Sequence, residues 1–544
     1  MANLRMQIDG MTCAHCEQTV EHLLTRAGAK DPKADWRRGE ATFEFEGDRS
    51  AIDESFSSSH YKPKEIEFVD APQPVVSLQG DAEYDLVAIG AGSAAFAAAI
   101  RATNLGARVA IVERNTVGGT CVNIGCIPSK NLLAASETYH HAGHHAFEGV
   151  STSQGGVDMG ALIGMKAEVV SMLRQEKYLD LAEHYGFDII KGTARFTSPE
   201  TIDVDGREIR AGHFLIATGS APWAPPIEGL EDAGYLTSTT AMEVKELPES
   251  MVVIGGNYIG LEMGQVFANL GSKVTIVEAL DRIAPLEEPE ISQWMTTILK
   301  EQGIEVFASA KVTRVEGGDI KAVVAEVEGG ERRFQAAEIL VATGRRPVLA
   351  GLDLERAGIE TDERGMLALD DQLRTTNGKV FAAGDVTGAP QFVYVAASQG
   401  TLAADNAVAR RSRRMDYKAL PRVTFTSPNI AAVGLTDAQA NEQGYDCECR
   451  TLELENVPRA IVSLDTRGAI KIVAERDTGK VLGVHAIAAN AGDVIMAGVY
   501  AIKFGLTVTD LADTWAPYLT MAEGIKLTAQ TFTADVSMLS CCAA

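Results

Sequence analysis

A chain of 544 residues has room for three or four domains. Its composition, 46% hydrophobic and 23% charged, is that of an ordinary globular protein, and its net charge of −25 lacks the basic face that a nucleic-acid partner requires. No run approaches the roughly 18 apolar residues of a membrane helix, and the first residues hold no apolar h-region of a secretory signal, so the expected location is the cytoplasm.

Residues 1–69 predict a small α/β module. Residues 4–9 alternate like a half-buried strand, 16–25 have the spacing of a short amphipathic helix, and 41–45 and 66–69 read as further strands. Gly10-Met11-Thr12-Cys13-Ala14-His15-Cys16 joins the first strand to the helix. A Cys-x-x-Cys pair at such a junction offers two thiolates to a two-coordinate soft ion. Residues 70–81, DAPQPVVSLQGD, contain two prolines and little periodicity, and are expected to be a linker.

The large body opens with a βαβ unit. DLVAIGAG is an apolar strand entering a glycine turn, SAAFAAAIRATNLG an Ala-rich helix, and RVAIVER a second strand. In its turn Gly90 allows the tight bend, Gly92 lets a pyrophosphate approach the backbone, and Ala95 permits close helix packing. The helix N-terminus supplies amide donors for the phosphates. Glu113 ends the second strand, placed for a ribose hydroxyl. The same order recurs in MVVIGGNYIG, LEMGQVFANLG and KVTIVEA, with Gly255, Gly260 and Glu278 in the corresponding places. Asn257 replaces the middle glycine there, and asparagine tolerates unusual dihedrals better than most residues. Two such units on one chain imply two nucleotide cofactors. From about residue 420 the pattern changes to antiparallel strands followed by helices at 491–505 and 521–533, a region suited to dimerisation.

The eight cysteines, Cys13, Cys16, Cys121, Cys126, Cys447, Cys449, Cys541 and Cys542, fall into four close pairs. In a cytoplasmic chain of this size, redox or metal work is a better expectation than structural disulfides. Cys121 and Cys126 lie in GGTCVNIGCIPSK, where two cysteines beside a dinucleotide turn can close a small disulfide at a helix start, with the dipole lowering a thiol pKa. Cys447 and Cys449 would share one face of a strand, as packing or surface residues. HHAGHH, residues 140–145, has spacings that a metal on a helix face can use, although a partly exposed helix accounts for it as well.

GGTCVNIGCIPSK, with ATGS at 217–220, ATGRRP at 342–347 and FAAGDV at 381–386, resembles the flavin disulfide reductases from about residue 83 onward. That resemblance implies FAD held by Gly90, Gly92, Ala95, Glu113, Thr120, Lys130, Gly219, Glu262 and Asp385. It implies Cys126 as the thiolate against the flavin, Cys121 as the interchange thiol, and Tyr258 as a cover displaced by the nicotinamide. Relatives that reduce disulfides carry a His-Pro pair whose histidine protonates the leaving thiolate. Here Ala516 precedes Pro517, so that acid is missing, and a bound metal ion needs none.

Ser540-Cys541-Cys542-Ala543-Ala544 at the end, the heavy-metal-associated motif at the start and PYLTMAEGIKLTAQTF at 517–532 complete a resemblance to the mercuric reductases over essentially the whole chain. It implies Hg(II) bound in turn by Cys13 and Cys16, Cys541 and Cys542, and Cys121 and Cys126. It also implies a homodimer in which the tail and Tyr518 serve the partner's active site. The expected fold is α/β: a ferredoxin-like βαββαβ domain (1–69), a linker (70–82), Rossmann-like FAD-binding (83–225 and 341–415) and NAD(P)H-binding (226–340) domains, and an α+β dimerisation domain with the Cys-Cys tail (416–544). The alternatives are a dihydrolipoamide dehydrogenase-like enzyme fused to a metal chaperone, and a non-catalytic metal carrier. The family mostly uses NADPH, but the carboxylate of Glu278 suits the ribose hydroxyls of NADH and repels a 2′-phosphate unless Arg282 folds back over the site. NADH is therefore expected to serve at least comparably.

Overall fold

The computed structural model describes residues 2–68, apart from Glu46, Asp48 and Ser58, and residues 82–535. The linker expected at 70–81 and the cysteines at 541 and 542 lie outside the described residues. Among the described residues no helix is long and apolar enough to cross a membrane.

The N-terminal module runs strand Ala2–Asp9, helix Ala14–Arg26, strands Lys30–Asp35 and Glu40–Phe45, helix Arg49–Phe56 and strand Lys62–Phe68. This is the expected βαββαβ order. The first strand lies between Glu40–Phe45 and Lys62–Phe68, antiparallel to both, and Lys30–Asp35 forms the edge beside Glu40–Phe45. The alternation of Glu40–Phe45 buries Ala41, Phe43 and Phe45, and Met6, Ile8, Val20, Leu24 and Ile52 close the core on them.

In the large body, Tyr84–Ile89 is buried at every position, as a strand covered on both faces must be. It pairs in parallel with Val109–Glu113 on one side and Arg207–Ile216 on the other, and Asp188–Lys191 and Val380–Ala382 extend the parallel sheet. Helix Ser93–Asn104 packs against Val393–Ala407 through alanines. Their approach is so close that a Cβ on Gly400 would strike the Ala94 carbonyl. Arg101 Nε binds the fully buried Asp405 at 2.7 Å and ties the two helices together.

The second βαβ unit pairs Ser250–Ile254 in parallel with Lys273–Val277 and Glu338–Val341, with helix Tyr258–Leu270 between the first two strands in sequence. A three-stranded antiparallel sheet, Lys311–Glu316, Lys321–Val327 and Gly330–Ala336, packs beside it. The C-terminal region is a five-stranded antiparallel sheet in which Cys447–Glu453 is one edge. The helix expected over 491–505 is two, Ala491–Val494 and Met496–Phe504, and the last helix is confined to Glu523–Gln530. Met496, Tyr500 and Phe504 are exposed on one side of Met496–Phe504, the i, i+4, i+8 stripe of a helix with an uncovered apolar face.

Candidate functional site

The two glycine turns are built alike. Gly90 and Gly255 have φ of +104° and +109°, and a Cβ on either would run into the carbonyl oxygen of Ala217 or Ala342. The acid at the end of each following strand anchors its turn. Glu113 accepts from Ala91 N at 2.9 Å and Asn115 N at 2.6 Å, and Glu278 accepts from Gly256 N at 2.7 Å and Leu280 N at 2.8 Å. Each carboxylate oxygen keeps a further lone pair for a hydroxyl. Asn257 needs no unusual dihedral: its φ of −105° and ψ of −169° match the −89° and −172° of Gly92, and each residue caps its helix in extended backbone. Its Oδ1 is buried without a hydrogen-bond partner.

Gly118 and Gly119, both with positive φ, bring the next segment so close to the first turn that a Cβ on Gly119 would meet Gly92. Cys121 follows within the short helix Gly119–Ile124, Gly125 breaks it, and Cys126 begins the helix Cys126–His141. Both cysteines are free thiols. The Cys121 thiol hydrogen bonds to the Cys126 sulfur; with Lys130 adding a positive charge, this brings the Cys126 pKa down to about 7 despite burial. The same contact, with burial, pushes Cys121 up. One sulfur is therefore thiolate-prone and the other holds the proton. Lys130, one turn on, binds Glu262 Oε2 at 2.7 Å and stands 4.6 Å over the Phe425 ring, while Glu262 Oε1 accepts from Phe425 N at 2.9 Å.

Both turns and both sulfurs open on one cavity of about 1420 Å³. Gly92, Thr120, Cys121, Cys126, Lys130, Gly219, Gly255, Tyr258, Glu262, Glu278 and Asp385 line it. Gly90, Ala95, Glu113 and Gly260 stand behind the wall and shape the turns; Tyr518 is half-exposed and outside the lining. Tyr258 is held by a long bond to Glu287 at 3.4 Å, and burial and that carboxylate push its phenol pKa up. Sequence reasoning missed a second layer. Arg422 binds Glu287 at 2.8 Å, and Arg345 Nε donates to Ser220 Oγ at 2.8 Å, which in turn donates to Asp385 Oδ2 at 2.8 Å. Ser220 and Arg345 sit inside the ATGS and ATGRRP segments, which were the available signal.

In the N-terminal module Cys13 is exposed and caps the helix, Cys16 is buried in its first turn, and the sulfurs are 3.4 Å apart. The Thr12 amide, 3.3 Å from the Cys16 sulfur, and the Tyr61 hydroxyl lower the Cys16 pKa to about 6. Tyr61 is a further partner that the motif does not name. The HHAGHH histidines do not share a helix face, because the helix ends at His141; His140 and His144 stack at 4.3 Å instead.

The first class these features define is that of a reductase with a dithiol centre between two dinucleotide-type turns. The pyridine nucleotide-disulphide oxidoreductase family matches residues 84–400, its dimerisation domain 420–529, and the heavy-metal-associated domain 5–62. The HOCl-induced flavoprotein disulfide reductase RclA from Escherichia coli superposes with a TM-score of 0.74 at 33% identity, covering 84% of this chain and 100% of its own. A mercuric reductase from Bacillus cereus is 48% identical over 99% of this chain and 87% of its own length, and one from Streptomyces lividans is 53% identical over 86% and 100%. The chain belongs to the mercuric reductase family.

Proposed function

We propose that the chain reduces thiolate-bound Hg(II) to Hg(0) with electrons from NADH or NADPH, through FAD and the Cys121/Cys126 pair. The observation that carries this reading is the thiolate-prone Cys126 beside the protonated Cys121 in the cavity onto which both nucleotide turns open. The residues fit the two cofactors. The Gly92 turn is open, with only Gly119 Cα at 3.7 Å from where a Cβ would stand, and the buried Asn257 Oδ1 in the second turn is an unmet acceptor to which a nucleotide hydroxyl would donate. Gly90, Gly92, Ala95, Glu113, Thr120, Lys130, Gly219, Glu262 and Asp385 would hold FAD; Gly255, Gly260, Tyr258 and Glu278 would receive the nicotinamide nucleotide. Bound there, FAD supplies a two-electron relay from nicotinamide to the cysteine pair.

The rest is the work of the protein's own side chains. Cys121, the interchange thiol, passes its proton to the Cys126 thiolate, attacks an incoming RS–Hg–SR and displaces one RS⁻. Cys126 then displaces the second, and the proton leaves with the departing thiol. The Lys130–Glu262 pair sets the charge beside Cys126. No side chain protonates a leaving sulfur from position 516, since that residue is alanine, which suits a metal substrate better than a disulfide. Two electrons reaching the Cys121–Hg–Cys126 ion give Hg(0), which has little affinity for thiolate. We assign Cys541 and Cys542 the delivery of Hg(II) to the partner subunit's pair and Tyr518 a place near it. The exposed stripe of Met496, Tyr500 and Phe504 supports a homodimer, and we place the enzyme in the cytoplasm.

The test is NAD(P)H oxidation with and without HgCl₂ in excess monothiol, with mercury vapour collected. Oxidation without mercury release, or turnover with lipoamide instead, overturns the reading. The same assay decides the donor. Arg282 is engaged by Asp281 at 3.3 Å and by the Pro285 carbonyl at 3.1 Å. We therefore expect kcat/KM for NADH at least comparable to that for NADPH. A preference for NADPH of about a hundredfold, the size of one ill-placed charge, defeats this.

A further inference from the structure

Cys447 and Cys449 read from the sequence as packing residues, but the fold gives them a third partner from another segment. They begin the edge strand Cys447–Glu453, whose alternation sets both on one face. The helix Asp437–Glu442 lies beside that face. The Asp437 carboxylate and the two sulfurs all lie within 4.8 Å of one another, the one cluster of three or more such ligand groups among the described residues. The Cys447 thiol donates to Asp437 Oδ1 at 3.1 Å, and Asn441 Nδ2 donates to the same oxygen at 2.9 Å. The Asp437 amide is itself fixed by Glu288 Oε1 at 2.6 Å. Below the sulfurs is an apolar floor of Ala440, Val473 and Leu482, and both cysteines are only partly buried.

We propose that Cys447, Cys449 and Asp437 form a soft-metal site that binds Hg(II) on two sulfurs, separate from the redox pair and from the two terminal cysteine pairs. Metal–thiolate bonds of about 2.3 Å make a linear S–metal–S unit span about 4.6 Å. The two sulfurs here lie no more than 4.8 Å apart, close enough for one ion to reach both. Two sulfurs with one hard oxygen favour a thiophilic ion over magnesium or calcium. Exchange balances without electrons: RS–Hg–SR and two cysteine thiols give Cys447–S–Hg–S–Cys449 and two RSH, each proton leaving with a displaced thiol. Asp437 already accepts the Cys447 proton and is placed to pass it on. The site does not depend on the reductase reading, because binding is measured without any reduction.

The experiment uses the full-length holoenzyme, dialysed without NAD(P)H against Hg(II) buffered by a monothiol. Cys447→Ser with Cys449→Ser is expected to hold one equivalent of Hg(II) fewer than the unsubstituted protein, with turnover on small-thiol complexes unchanged. Asp437→Asn should keep the equivalent but bind it about tenfold more weakly, as loss of a partner beside a ligand does. Should the double variant fold poorly, alkylation of the unsubstituted protein is read by peptide mass. With one Hg(II) per cysteine pair, both Cys447 and Cys449 should be protected. Equal stoichiometry in the two proteins, labelling of both cysteines at the metal-free rate, or a Cys447–Cys449 disulfide in their place overturns the proposal.

Discussion

The thiol pair at residues 13 and 16 and the pair at 121 and 126 use one device for different ends. Each places a cysteine at the start of a helix and lowers the pKa of one sulfur with hydrogen bonds, to about 6 at Cys16 and about 7 at Cys126. The donors differ. Cys16 is served chiefly by the Thr12 amide and the Tyr61 hydroxyl, groups that keep their protons, whereas Cys126 is served chiefly by its own partner Cys121. The first arrangement depends less on its partner cysteine and suits holding an ion. In the second, one sulfur depends on the proton of the other, so charge and proton move when either sulfur is used, as a redox pair requires. Only the second pair opens on the cavity shared by the two nucleotide turns.

The largest effect that tests this division is loss of the core pair. Cys121→Ala or Cys126→Ala should lower mercury-dependent NAD(P)H oxidation to the uncatalysed background while FAD remains bound, because the flavin-binding turn is built elsewhere. Normal turnover in Cys126→Ala would put the chemistry at another pair.

A smaller effect separates the two kinds of donor. Cys121→Ala removes a hydrogen bond to a charged sulfur, worth about 1.5–3 kcal/mol, and should raise the Cys126 pKa by about one to two units. Alkylation of Cys126 followed against pH reads it. In the unsubstituted protein the rate should fall as pH drops through about 7, because the lowered pKa keeps the reactive thiolate only above that value. In Cys121→Ala the fall should come at higher pH. Tyr61→Phe should move Cys16 in the same direction, whereas Cys13→Ala should move it less, since Cys13 ranks below Thr12 and Tyr61 among the causes. A Cys16 titration governed by Cys13 would erase the contrast between the pairs.

What the sequence disclosed and what it hid follow from distance along the chain. Both βαβ units, the Cys-x-x-Cys motif and GGTCVNIGCIPSK are local signals, and the turns at Gly90 and Gly255 form where they were expected. Strand Lys30–Asp35 went unplaced because KDPKAD is polar and contains a proline, which only an edge position tolerates. The short helix Arg49–Phe56 buries just Ile52, Ser55 and Phe56, too few for a periodic signal. At the site, the missing parts are long-range: Tyr61 reaches Cys16, Ser220 joins Arg345 to Asp385, and Asp437 joins the Cys447–Cys449 strand. Ser220 and Arg345 each lie in a recognisable segment, but no segment shows which residues from other parts of the chain it will meet.

The smallest expected effect concerns the N-terminal module as a whole. Its sheet, helices and core of Met6, Val20, Leu24 and Phe43 are complete within residues 2–68, and its cysteines are not among the residues lining the reductase cavity. If this module works as a holding site, it acts through effective concentration rather than through chemistry. Deleting residues 1–81 should therefore leave kcat and KM unchanged when small thiol complexes of Hg(II) are saturating. The deletion should slow turnover only when free thiol is scarce and Hg(II) is far below KM, where the tethered pair raises the local supply. Replacing Cys13 and Cys16 with serine should reproduce the deletion, which separates capture by sulfur from any other use of the module. The comparison fails if the truncated enzyme loses kcat at saturating substrate, for then Cys13 and Cys16 would take part in the reduction itself.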